Sequence, residues 1–63
     1  MKKLRVLVVE DDPTSLADVS LALSRLGHTI CASTSSGAKS VQLARQERPD
    51  VVLMDCFLEG NLD

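Results

Sequence analysis

The 63-residue sequence has no long apolar run, no cysteine pattern and no excess of basic residues. No segment approaches the roughly 18 apolar residues of a membrane span, and no signal peptide is visible, so we expect a cytoplasmic protein without membrane contact. The net charge of −2 argues against direct nucleic-acid contact, because neutralising phosphates needs a basic surface. Cys31 and Cys56 lack metal-ligand spacing, and we expect both to be reduced thiols.

A glycine-rich phosphate-binding loop is also missing. Loops that bind nucleotides or flavins present backbone N–H groups to phosphate. Here the turn after the first apolar run holds Glu10, Asp11 and Asp12 instead. A nucleotide-binding or flavin-binding half-domain is therefore an open but chemically weak alternative.

The first apolar run is the feature around which the sequence is organised. Residues 4–9 are apolar at five of six positions, without helical or alternating spacing, and the run stops at the three carboxylates. Such a run predicts a strand covered on both faces, as in a parallel sheet. Pro13 suits the first position of a helix, with Asp12 as its N-cap.

The remaining pattern predicts a βαβαβ unit. In chain order it predicts a first helix over Pro13–Leu26 ended by Gly27, a short edge strand over 28–32, a loop from Thr34 with Ser36 as N-cap, a second helix over 37–47 closed by Pro49, and a strand over 51–54. Helical spacing places Leu16, Val19, Leu23 and Leu26 inward on the first helix, and Val41 and Ala44 inward on the second. The first and third strands are the most apolar, so the expected strand order is 2-1-3 in a parallel sheet with right-handed crossovers.

This arrangement brings carboxylates together at one edge of the sheet. Neighbouring strands lie about 4.8 Å apart, so Asp11 and Asp55, which follow the first and third strands, should arrive side by side with Glu10 next to them. Converging carboxylates repel one another, and oxygen ligands favour Mg²⁺ or Mn²⁺ as the bridging cation. An aspartate beside such an ion can also act as a nucleophile and form an aspartyl phosphate. The geometry therefore predicts phosphoryl chemistry with Asp55 as the attacking group.

Three stretches resemble the receiver domain of bacterial two-component response regulators. They are residues 6–13 (VLVVEDDP), Gly27-His28 after the first helix, and residues 48–55 (RPDVVLMD). The separation of Asp11 from Asp55 matches the family as well. The resemblance implies a flavodoxin-like, doubly wound α/β fold, of which residues 1–63 would be the N-terminal part of a single receiver domain, truncated after the third strand.

The resemblance also implies roles for individual residues. Asp55 would be the phosphoacceptor, Asp11 a direct Mg²⁺ ligand and Glu10 a ligand through water, while the backbone carbonyl of Phe57 would complete the metal site. The phosphoryl donor would be a sensor histidine kinase or a phosphotransfer protein. The chain would then be a substrate and switch, not an enzyme.

Two departures from the family pattern bear on these expectations. Leu58-Glu59 stands where many receivers carry Met-Pro. The hydroxyl residue after the fourth strand and the lysine after the fifth, which contact the phosphoryl group in the family, have no counterpart in these 63 residues. The alternative is a non-phosphorylated half-domain that acts as an assembly or dimerisation module, and an exposed third-strand edge predicts self-association there.

Overall fold

The computed structural model describes residues 2–54, which form a three-stranded parallel sheet with two helices. The elements in chain order are β1 (Arg5–Val9), α1 (Pro13–Arg25), β2 (Thr29–Thr34), α2 (Gly37–Glu47) and β3 (Val51–Met54). The strand order is β2-β1-β3 and both pairings are parallel, so the predicted α/β class, topology and strand order are confirmed.

The core of the described residues is the central strand β1. Its residues Val6, Leu7, Val8 and Val9 each expose 2% or less of their surface. Successive strand residues point to opposite faces, so burial of four in a row requires cover on both faces. Strand β2 lies on one side of β1 and β3 lies on the other. Right-handed crossovers in these two opposite directions place α1 and α2 on opposite faces of β1.

Helix α1 begins and ends with local sequence signals. Asp12 is the N-cap and Pro13 occupies the first turn, as predicted. At the other end Gly27 N donates to Ser24 O and His28 N donates to Leu23 O, while Gly27 has φ +87°. This is the Schellman arrangement, in which a left-handed residue after the helix lets its last carbonyls accept hydrogen bonds.

Helix α2 begins at a predicted cap but ends in a less favourable way. The Ser36 side chain accepts a hydrogen bond from Lys39 N. The C-cap is Arg48, a non-glycine residue in the left-handed region with φ 49°, immediately before Pro49. The residue before a proline is disfavoured in the right-handed helical region, so the helix ends here at some conformational cost to Arg48.

Three details differ from the sequence-based predictions. Strand β2 runs to Thr34 and does not stop at Ala32, because Ser33 and Thr34 pair with Val8 and Val9 of β1. Backbone pairing with a long central strand extends β2 beyond its apolar residues. Leu26 and Val41, predicted to face inward, are 59% and 53% exposed.

Leu26 and Val41 were both predicted to face inward, and they are exposed for different reasons. Leu26 is the C-cap of α1 and lies past its last turn, so it does not continue the helical stripe. The buried residue of α2 is the polar Ser40, whose hydroxyl donates to Gly37 O within the helix. Ser40 can be buried because its hydroxyl has an acceptor nearby, and it displaces Val41 from the sheet-facing stripe.

Between residues 2 and 54, none of the helices has the length and apolar character that crossing a membrane would require.

Gly27 and Arg48 provide a matched test of backbone strain. We predict that Gly27→Ala lowers the free energy of unfolding by about 1 kcal/mol, because alanine is strained at positive φ. A Cβ at this position meets no atom within 4 Å, so no steric clash adds to the cost.

The reciprocal change, Arg48→Gly, should raise the same quantity by up to about 1 kcal/mol, since glycine adopts the left-handed region without strain. Urea denaturation followed by circular dichroism measures both. A stabilising Gly27→Ala would contradict the assignment.

Candidate functional site

The candidate site is the acidic turn formed by Glu10, Asp11 and Asp12. Strand β1 ends at Val9 and α1 begins at Pro13, so the turn lies at the carboxyl end of the central strand. In open α/β sheets this edge is where ligands bind. The structure therefore places the three carboxylates where the sequence predicted them.

The Asp12 carboxylate serves the helix. Its Oδ1 accepts from Thr14 N at 3.3 Å, and its Oδ2 accepts from Ser15 Oγ at 2.9 Å. The Asp12 carbonyl also accepts the first helical hydrogen bond, from Leu16 N at 2.9 Å. Both carboxylate oxygens thus satisfy donors of the first turn, which makes Asp12 a structural residue.

Glu10 is held in position by hydrogen bonds on two sides. Its backbone N–H donates to Thr34 O at 2.9 Å, which extends the pairing of β1 with β2 by one residue. Its side-chain Oε1 accepts from Asp12 N at 3.0 Å and so closes the turn on itself. Glu10 is half-buried whereas Asp11 is exposed, so the acidic turn presents Asp11 to solvent beside a fixed Glu10.

The predicted metal ligands are only partly described. Glu10 and Asp11 are adjacent at the end of β1, and their carboxylate oxygens suit a hard cation such as Mg²⁺. The predicted phosphoacceptor Asp55 and the predicted carbonyl ligand of Phe57 lie outside the described residues. Within residues 2–54 no group of three or more His, Cys, Asp and Glu side chains is placed to hold a metal ion. The carboxylates of Glu10 and Asp11 therefore offer two oxygen donors of the kind that Mg²⁺ takes.

A small cleft lies beside the acidic turn. It has a volume of about 230 Å³ and is lined by Val8, Val9, Glu10, Val19, Leu53 and Met54. Its walls are the carboxyl ends of β1 and β3 and one side of α1. Apart from Glu10 the lining residues are apolar, so the cleft suits a hydrophobic side chain better than a phosphate or a cation.

A second polar cluster lies at the opposite end of the sheet, and sequence reasoning missed it. Arg5 N donates to Asp50 Oδ2, and the Arg5 guanidinium forms an ion pair with Glu47. The sequence offered two signals for this cluster. Arg5 is a charged residue at the start of the apolar strand β1, and Asp50 stands directly before the apolar strand β3. Neither signal identifies its partner, because the partners are far apart in sequence.

His28 has a structural role at the start of the sheet. Its Nδ1 accepts from Leu4 N at 3.1 Å, and this half-buried residue directly precedes β2 in the chain. An accepting Nδ1 assigns the ring proton to Nε2. The interaction joins the start of β1 to the start of β2.

Comparison with protein families gives one match, to the response regulator receiver domain, over residues 6–63. Among curated proteins, the chain is 43% identical to Protein PilH of Pseudomonas aeruginosa over 56 residues, which are 89% of this chain and 46% of PilH. It is 36% identical to the transcriptional regulatory protein AfsQ1 of Streptomyces coelicolor over 55 residues, covering 87% of this chain and 24% of AfsQ1. The chain thus spans about half the length of the first relative and about a quarter of the second.

A third relative carries the name of an enzyme. The chain is 38% identical over 60 residues to protein-glutamate methylesterase/protein-glutamine glutaminase 3 of Myxococcus xanthus, covering 94% of this chain but 17% of that protein. The similarity therefore involves a small part of the larger protein. No solved structure matches the chain significantly.

Proposed function

The chain belongs to the response regulator receiver family, and we propose that it accepts a phosphoryl group on Asp55 from a sensor histidine kinase or a phosphotransfer protein. Receiver domains are signalling modules of two-component systems, and they generally bind Mg²⁺ at the phosphorylation site. We further propose that residues 1–63 are the N-terminal part of a single receiver domain in a cytoplasmic protein that is a substrate and switch.

The observation that supports this proposal most directly is the shared edge of β1 and β3. The two strands pair in parallel from Val6 with Val51 to Val9 with Met54. The acidic turn follows Val9 directly, and Asp55 is the next residue in the chain after Met54. Parallel strands that end at the same level bring the residues that follow them to one edge of the sheet.

The proposed reaction transfers a phosphoryl group from a histidine nitrogen of the donor protein to a carboxylate oxygen of Asp55. A carboxylate oxygen of Asp55 attacks the phosphorus of a phosphohistidine, a P–O bond forms, the P–N bond breaks, and the imidazole nitrogen leaves with its electron pair and takes up a proton. Glu10, Asp11, Asp55 and the Phe57 carbonyl are the proposed ligands of Mg²⁺, which when bound offsets the negative charge of the phosphoryl group. Glu10, fixed by its two hydrogen bonds, would hold Asp11 in place for this task.

Divalent cation binding gives the first test, because two adjacent aspartates have different proposed roles. Asp11→Asn should abolish Mg²⁺ or Mn²⁺ binding, since it removes a charged ligand, and should leave the fold intact or slightly more stable through reduced repulsion.

Asp12→Asn is the matched control. It removes the same charge from the same turn but keeps an oxygen that can cap α1. Titration of Mn²⁺ followed by electron paramagnetic resonance measures both variants in the full-length protein, that is, the longer receiver protein of which residues 1–63 are proposed to be a part. Equal affinity in wild type and Asp11→Asn would show that the site is wrongly assigned.

Phosphorylation itself gives the second test. In the full-length protein, acetyl phosphate with a divalent cation should add one phosphoryl group, detected by intact mass, and Asp55→Asn should prevent it. Asp18→Asn, at an exposed position of α1, is the control that should be labelled like the wild type.

The 63-residue chain alone should be labelled slowly or not at all, because the hydroxyl and lysine implied by the family are absent from it. Labelling of this chain at the rate of a complete receiver would show that those two residues matter less than we propose.

A second candidate function, assembly through β3, is favoured by the exposure of that strand. Val52, Leu53 and Met54 are 43%, 39% and 39% exposed, although they form an apolar run. Within the described residues β3 is an outer strand, and its apolar residues adjoin the cleft between β1, β3 and α1. An apolar outer strand is a template for pairing with another chain.

We therefore predict that the 63-residue chain sediments as a dimer or larger assembly at micromolar concentrations, and that Val52→Lys weakens the association. Leu21→Lys is the control because Leu21 is also exposed, but it belongs to α1 and does not line the cleft beside β3. Analytical ultracentrifugation measures the association. A folded monomer with a cooperative unfolding transition would refute this second function.

A further inference from the structure

The start of β1 is joined to the start of β3 by a reciprocal pair of hydrogen bonds. Arg5 N donates to the Asp50 side chain at Oδ2, and Asp50 N donates to Arg5 O, both at 2.8 Å. The first pair of the ladder, Val6 with Val51, follows directly. Asp50 therefore closes the ladder at its first step with one side-chain and one backbone bond.

The Arg5 guanidinium ties the end of α2 to the same point. Its Nη1 donates to Glu47 O and to Arg48 O, the latter at 3.3 Å, and its Nη2 contacts Glu47 Oε1 at 3.1 Å. The last carbonyls of a helix lack partners within the helix and carry partial negative charge, so the guanidinium suits this position. The side chains of Arg5 and Glu47 are 48% and 36% exposed, so the ion pair contributes more to geometry than to stability.

These contacts hold β1 and β3 together at the start of their ladder. The ladder runs without a shift from Val6–Val51 to Val9–Met54. In the sequence, Glu10 directly follows Val9 and Asp55 directly follows Met54. A slip of one residue would exchange the two faces of β3 along its whole length, and β3 would then no longer end level with Val9, the residue before the acidic turn.

The other side of β1 is joined differently. There Leu4 N donates to His28 Nδ1 at 3.1 Å, and Thr29 N donates to Leu4 O at 2.9 Å. The ladder between β1 and β2 changes register between Val6 and Leu7, so the join at His28 does not set the pairing near the acidic turn. The Leu4–His28 hydrogen bond is therefore comparable to the Arg5–Asp50 hydrogen bond, because each joins a side chain to the backbone at the start of β1. The Leu4–His28 bond, however, joins β1 to β2, which carries no proposed ligand.

We propose that Asp50, together with Arg5, is a positioning residue for the acidic site at the far end of the sheet. Asp50 precedes β3 and Met54 ends it, four residue steps or about 13 Å along a strand, so Asp50 acts through the register and touches neither ion nor phosphoryl group. The inference rests on the proposed function, because it assigns Asp50 the task of aligning the two halves of that site.

The test compares Asp50→Ala with His28→Ala in the full-length protein. Each variant removes one side-chain acceptor from a backbone N–H at the start of β1, so both should lower the urea midpoint. Only Asp50→Ala should also weaken Mn²⁺ binding, with at least a threefold rise in Kd measured by electron paramagnetic resonance under folding conditions. Asp50→Asn keeps an acceptor oxygen and should restore the wild-type Kd.

The outcomes separate this inference from the proposed function. If wild type binds Mn²⁺, Asp11→Asn does not, and Asp50→Ala binds like wild type, the positioning role is refuted and the proposed function stands. If His28→Ala weakens binding as much as Asp50→Ala, the effect is one of general stability and the inference is again refuted.

If the wild-type protein fails to bind Mn²⁺, both the proposed function and the positioning role of Asp50 are refuted. Should Asp50→Ala not fold, Asp50→Glu replaces it, since one added methylene displaces the carboxylate, and the same rise in Kd is expected.

Discussion

Burial of β1 on both faces is the constraint on which the rest of the described structure depends. Four consecutive apolar residues, Val6 to Val9, are almost completely removed from solvent. Burying a side chain of this kind contributes about 1.5–3 kcal/mol, and the strand obtains this only with a partner strand on each side and a helix on each face. The central position of β1, its parallel neighbours and the exposed turn after Val9 all follow from that requirement.

The three acidic residues of the turn differ in what they do: Asp12 and Glu10 form hydrogen bonds that hold the local structure, and Asp11 is the proposed direct ligand of the cation. Asp12 turns its carboxylate toward α1, and Glu10 both extends the sheet and accepts the hydrogen bond that closes the turn. Asp11 lies exposed next to these fixed neighbours. The cation site that we propose needs few further protein contacts to be rigid, because the Glu10 and Asp12 side chains already hold the turn by hydrogen bonds. This suits Mg²⁺, which keeps several of its waters.

The relatives put limits on what these residues do alone. The match to the receiver family covers residues 6–63, yet the chain spans 46% of PilH and 24% of AfsQ1. In the described part, β3 presents an apolar surface at the edge of the sheet, beside a cleft with mostly apolar walls. The assembly role that we propose as the second candidate function requires this surface to be accessible to another chain. The proposed phosphoacceptor role depends on Asp55, which follows β3 in the sequence, and the two roles can therefore be separated by experiment.

The sequence by itself determined the elements, their order and most of their ends. Apolar runs, Asp12 and Ser36 as caps, and Gly27 after α1 are local signals, and local backbone energetics act on them directly. The tertiary structure alone decided the rest. It lengthened β2 to Thr34, and it joined Arg5 to Asp50 across 45 positions and Leu4 to His28 across 24. Those contacts form only when the strands are already assembled, because no spacing within one segment specifies a partner in another.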